Sequence, residues 1–293
     1  MQEKGYRPVK GAESLSFGTL VHECLAAYFS GTQEKIPGII AKEPDQYRQV
    51  IARELVDGYM LRWPLDRSAV LAVEAEFTLP MVNPRTSAYS RTWELAGKID
   101  AIIQTDKGVA VVEHKTTVED ISVPESPYFL KLVIDPQITG YCLGAEKLGH
   151  KPTHILYDVI GKPGIRPLRA TPEDKRKYTK DGRLYANQRD RDETPEEYGD
   201  RLRVDIAENQ ASYFQRKEIV RNEMDIIEYL EDCWSVGKFI MESRNENFWP
   251  RRAAQCFNYG QCQFYQVCAG MASLEDESLY RKATKPNEEL EVF

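Results

Sequence analysis

Residues 111–117 read VVEHKTT. Two β-branched apolar residues run directly into an acid, an imidazole and an amine. The preceding VAVV, residues 109–112, is the continuous apolar run expected of a strand buried on both faces, so three polar residues at its end call for a reason. With the period of two along a strand, Glu113 and Lys115 share one face and His114 takes the other.

Working outward, TDKG at residues 105–108 closes this strand into a hairpin with residues 92–104. In that earlier run Leu95, Gly97, Ile99, Ala101 and Ile103 alternate with Lys98, Asp100 and Ile102, which puts Asp100 on the face opposite Ile99. Neighbouring strands lie about 4.8 Å apart, so Asp100 and the Glu113-x-Lys115 pair can converge. Two carboxylates that close repel one another unless a cation lies between them. Oxygen donors suit Mg²⁺ or Mn²⁺, and a nearby lysine can orient or deprotonate a water. The plainer reading is a cross-strand ion pair on a solvated face, worth little. What weighs against it is a following helix that carries Gln137 and Tyr141 at i and i+4, hence on one face.

The rest of the chain reads as α/β. Leu20, Val21, Cys24, Leu25, Tyr28 and Phe29 predict a helix over 16–30, with His22 and Glu23 on its flank and Gly31 as its stop. A second helix is expected over 45–63, a strand over 69–79, a helix over 129–148 kinked or begun late at Pro136, and a strand over 154–160. Pattern is then lost to about residue 203, before a strand within 212–221 and a helix over 222–242.

Composition bounds the class. The chain has 293 residues, 42% of them apolar, and a formal net charge of −7. It contains no run of about 18 apolar residues that could span a bilayer, and its first residues resemble no secretory leader. A soluble protein of the reducing cytoplasm is expected, with its six cysteines unpaired. Charge is unevenly spread: ten Lys or Arg against four acids lie between Lys162 and Arg191. That stretch reads equally as a solvated surface insertion and as a phosphate-contacting arm built on Lys175, Arg176 and Lys177, with Tyr178 and Tyr185 to stack on bases.

Taken in order, FGTLVHE (17–23), GKIDAI (97–102), VEHKTT (112–117) and QITGY (137–141) resemble the PD-(D/E)XK nuclease superfamily, in its branch of RecB-like, CRISPR-adaptation and phage exonucleases. The resemblance implies a restriction-endonuclease-like fold: a mixed central sheet flanked by helices, here one domain over 1–293 with its core at about 16–160 and 212–245, a basic insertion at 161–203 and a Cys-rich lobe at 248–270. It implies that Asp100 and Glu113 bind Mg²⁺ or Mn²⁺ together with His22 and the backbone carbonyl of His114. Lys115 would position the attacking water or stabilise the phosphorane, and Gln137 and Tyr141 would contact DNA or buttress the site. Glu76 is a lesser candidate.

The final resemblance is to a cluster-binding tail. Cys256, Cys262 and Cys268 are spaced C-x5-C-x5-C, and in the family branch such cysteines join a fourth, upstream one around a [4Fe-4S] cluster. No cysteine precedes Cys24, itself on an apolar helical face, so the ligand set is incomplete and three free or partly oxidised cysteines are the alternative, with zinc a lesser one because it too prefers four ligands. The expected activity is metal-dependent exonucleolytic hydrolysis of DNA, on single strands or duplex ends, in recombination, repair or phage replication, beside partner proteins of those processes and away from membranes. The competing class is an inactive DNA-binding scaffold of the same fold.

Overall fold

The apolar run before Glu113 is the middle strand of a five-stranded mixed sheet. In a computed structural model, residues 4–9, 13–66, 69–258, 260–285, 287–288 and 290 are described. The elements run β1 (Tyr6–Pro8), α1 (Glu13–Phe29), α2 (Ile36–Ile40), α3 (Gln46–Arg62), β2 (Val70–Val82), β3 (Tyr89–Thr105), β4 (Gly108–Thr117), α4 (Pro127–Val133), α5 (Pro136–Lys147), β5 (Pro152–Gly161), α6 (Pro195–Glu208), α7 (Gln210–Tyr213), β6 (Phe214–Ile219), α8 (Glu223–Asn245), α9 (Tyr265–Cys268) and β7 (Tyr280–Lys282). Strand order is β2-β3-β4-β5-β6; only β4 and β5 are parallel, joined by the α4–α5 crossover. β1 and β7 form a separate antiparallel pair that ties the two ends of the chain together.

Period-two alternation distributes the core. Ala110 and Val112 of β4 face a layer made by α1, α2, α3 and α6, whereas Val111 faces α4 and α5. β5 does the same with Leu156 and Ile160 on one side and Ile155, Tyr157 and Val159 on the other. Along 109–112 and 155–157 both faces of these strands are therefore dry, as those apolar runs require.

Three sequence expectations are corrected. The helix expected over 129–148 is two helices, because Pro136 cannot continue the first and Asp135 caps the second by accepting from the Gln137 amide. The irregular stretch ends at Thr194 instead of about 203: Thr194 and Glu197 form a capping box with Pro195 at the first helical position. The helix they start buries Tyr198, Leu202 and Ile206 at i, i+4 and i+8. Finally, strict alternation through 95–103 breaks at Asp100. Ile99 packs in the α5 layer, while Ala101 and Ile103 pack in the α1 layer. Among the described residues no helix is long and apolar enough to cross a membrane.

Candidate active site

The break at Asp100 builds the site. On β2, opposite Asp100 and between the pairs Val73↔Ala101 and Ala75↔Ile99, stands Glu74 with a left-handed backbone, φ 50°. Val73 packs with the α1 layer and Ala75 with the α5 layer, so both strands change face together at this point. A non-glycine residue held there is strained by about 1–3 kcal/mol. Beyond this kink β3 leaves β4: their pairing ends at Ala101↔Val112. The Asp100 side chain fills the gap, its Oδ2 accepting from the His114 amide at 2.8 Å.

Besides β3, three elements deliver side chains to this splay. From α1, His22 brings Nδ1 within 3.6 Å of Asp100 Oδ1. From β4, Glu113 and Lys115 project together toward α5, as the period of two requires, with Lys115 Nζ donating to Glu113 Oε1 at 2.5 Å. From α5, Gln137 accepts from Lys115 Nζ at 2.7 Å and donates to the Tyr141 hydroxyl at 2.7 Å. The result is a continuous chain from Glu113 to Tyr141. These residues line a cleft of about 530 Å³ that also includes Lys98, Phe77, Tyr229, Asn287 and Leu290. Lys98 pairs with the strained Glu74 at 2.5 Å; Glu76 does not line the cleft.

Close packing holds α5 against the sheet. A Cβ on Gly144 would come within 2.4 Å of the Phe77 ring, and one on Gly97 within 2.8 Å of it and 3.1 Å of Tyr141. The glycine of GKID thus leaves room for the aromatic pair Phe77–Tyr141, which meets edge to face at 6.1 Å.

Two buried carboxylates side by side dominate the electrostatics of the site. Burial and the neighbouring Asp100 carboxylate together push Glu113 up to about 7, against the pull of Lys115. Burial would also raise Asp100, but His22 and His114 outweigh it and hold its carboxyl below the usual range. Burial opposes charge on His22, yet Asp100 prevails and raises it. Glu113 Oε2 is buried without a hydrogen-bond partner among the described residues. An unpartnered carboxylate oxygen beside a second carboxylate fits a hard divalent cation. Among the described residues no three His, Cys, Asp or Glu side chains are gathered into a ready-made metal cage; Asp100 and Glu113, with His22 beside them, are what the cleft offers.

The sequence model of the PD-(D/E)XK nuclease superfamily matches residues 2–269. The chain belongs to that superfamily. No curated protein matches this PD-(D/E)XK chain. Among solved structures it is similar to a candidate exonuclease from Eubacterium rectale, at 11% identity and a TM-score of 0.42, over 97% of this chain and 82% of the other. A likeness that loose carries no argument about activity. The mixed sheet flanked by helices is the restriction-endonuclease-like core of the superfamily.

Other expected site residues lie elsewhere. Cys256, Cys262 and Cys268 are free thiols outside any metal-holding group among the described residues. Cys24 lies fully buried in the core, its thiol pushed up to about 12 by burial, and is no fourth ligand. In the basic stretch most arginines serve the fold: Arg176 donates to the Thr171 and Asp190 carbonyls, Arg169 pairs with Asp192, and Arg189 and Arg191 both pair with Glu197. Arg176 therefore drops out of the expected arm, while Lys175, Lys177, Tyr178 and Tyr185 remain exposed.

Sequence reading missed Lys98, Tyr229, Asn287 and Leu290 in the cleft, and a buried group behind it: Tyr59, Asp158 and Arg216. Only Asp158 carried a signal, as a single acid inside the apolar run HILYDVI, residues 154–160.

Proposed function

We propose that this chain is a divalent-cation-dependent deoxyribonuclease that removes nucleotides from DNA ends or single strands. The observation that supports it best is the splay of β3 from β4, which brings Asp100, Glu113 and Lys115 into one cleft with His22 and Gln137. Asp100 and Glu113 would hold the cation, with the His22 imidazole and the His114 carbonyl beside them. That cation supplies Lewis-acid chemistry, lowering the pKa of water and neutralising charge on the scissile phosphate.

The protein's own groups do the positioning. Lys115 reaches the cleft with its Nζ tethered by Gln137, placed to hold a water or a non-bridging phosphate oxygen by hydrogen bond. Tyr141 fixes the Gln137 amide in turn, so Lys115 is oriented before substrate arrives. Without the cation, two carboxylates repel the polyanionic substrate, which makes binding as well as chemistry depend on the ion.

The test is degradation of end-labelled single-stranded and duplex DNA in Mn²⁺ by the wild-type protein and by Lys115→Ala. Losing a group that stabilises the transition state should lower the rate by about 100-fold or more. Undiminished degradation by Lys115→Ala would remove Lys115 from the site, and no degradation by the wild type would favour a DNA-binding scaffold.

A further inference from the structure

Behind β4, on the face opposite Lys115, a polar group interrupts the apolar α1 layer. His114 and Asp158 are neighbours in the parallel β4–β5 register and both are buried, at 3% and 0% exposure. Asp158 Oδ2 lies 3.2 Å from His114 Nδ1 and 3.2 Å from Arg216 Nη2, and it accepts from the Tyr59 hydroxyl. Arg216 Nη2 also donates to that hydroxyl at 2.9 Å, with its guanidinium 4.2 Å from the Trp63 ring centroid. The His114 ring is boxed edge-on by Phe29, Tyr59 and His22, at centroid distances of 5.1, 6.1 and 6.0 Å.

Stability does not explain the group. Apolar residues of similar volume commonly replace a buried ion pair at no loss, and here His114 Nδ1, Asp158 Oδ1 and Arg216 Nε lack hydrogen-bond partners among the described residues, so Asp158 meets the His114 ring by close polar contact at 3.2 Å and not by a hydrogen bond. What the group grips is the residue at the splay. The His114 amide is the donor that captures Asp100 once β3 has departed. In an extended strand a residue's N–H and C=O point to the same edge, so the His114 carbonyl faces the same gap. Rotation of the His114 main chain would release Asp100 and turn that carbonyl away.

We propose that Asp158, braced by Tyr59 and Arg216, is a positioning residue: it pins the His114 ring and so holds the β4 main chain in the orientation that fixes Asp100 for cation binding. This rests on the nuclease reading above.

The test measures Mn²⁺ binding directly, by loss of the free-ion electron paramagnetic resonance signal, in the full chain without DNA. Compared with the wild type are Tyr59→Phe, Asp158→Asn and the apolar exchange Asp158→Leu with Arg216→Leu. Outer groups that orient ligands typically govern affinity by 10–100-fold. About tenfold weaker Mn²⁺ binding is expected in Tyr59→Phe, which changes one hydroxyl and keeps the fold, and a larger loss in Asp158→Asn. The double exchange should melt at least as high as Asp158→Asn and yet not recover Mn²⁺ affinity. Wild-type Mn²⁺ affinity in Tyr59→Phe or in a folded double exchange would overturn the proposal alone, leaving the nuclease reading intact. A wild-type protein that binds no Mn²⁺ and degrades no DNA would overturn both.

Discussion

Glu113 concentrates the tension of the site in one side chain. Its folded-state proton affinity is raised above the ordinary 4.5 to about 7, so between those values the folded protein holds a proton that the unfolded chain has released. The stability contributed by neutral Glu113 is fully present below the unfolded value and is lost as pH rises through about 7. His22, also raised, acts in the same direction. The metal-free protein should therefore melt lower at pH 8 than at pH 5. Glu113→Gln, which keeps the neutral form at every pH, should flatten that slope and melt higher than the wild type at pH 8. Mn²⁺ should raise the wild-type melting temperature at pH 8 and leave Glu113→Gln nearly unmoved. Thermal melts across pH check all three; an equally steep fall in the variant would mean that Glu113 is not the titrating group.

At the scale of elements, the site depends on how closely α5 approaches β2 and β3. The contact is made by Phe77 lying over Gly97 and Gly144. Gly144→Ala would force its methyl into that ring, and overpacking of this kind costs about 1–3 kcal/mol. The variant should show a lower denaturant midpoint and a fall in DNA degradation larger than the stability loss accounts for, because the displaced helix carries Gln137 and Tyr141. Phe77→Leu combined with Gly144→Ala should recover much of the stability. α6 gives a control remote from the cleft. Thr194→Ala removes one half of its capping box and should cost about 1 kcal/mol while leaving the rate of DNA degradation unchanged.

At the scale of the whole molecule, the chain ends meet through β1 and β7, and the segment after β7 returns to the cleft. Arg281 grips Glu288 in a two-pronged pair at 2.7 and 2.6 Å. Asn287 and Leu290 line the cleft, Leu290 with only 4% exposure. A DNA strand approaching Lys115 must share space with these side chains. Ending the chain after Thr284 should therefore lower the KM for DNA several-fold with little change in kcat, as steady-state kinetics on a labelled single strand would read. A raised KM would instead make this segment part of the substrate-binding surface.

Local order determined much of this protein. The apolar period placed α1, the turn at 105–108 joined β3 to β4, and Pro136 marked a kink or late start in what proved to be two helices, α4 and α5. The pairing of Glu113 with Lys115 on one face followed from the period of two alone. Tertiary structure decided where that pattern fails and what the failure does. The change of face at Glu74 and Asp100 leaves no mark in a list of residues, because either residue fits a regular strand. Only the helical layers on both sides show that the hairpin turns over there. The hold on His114 joins Tyr59 to Asp158 and Arg216, which are 99 and 157 positions away in the sequence, and the cleft joins α1 to a segment near residue 290. Periodicity reports which way a side chain faces within its own element. Which distant groups it meets depends on how the elements pack, and that contact set the charge on Glu113 and the grip on Asp100.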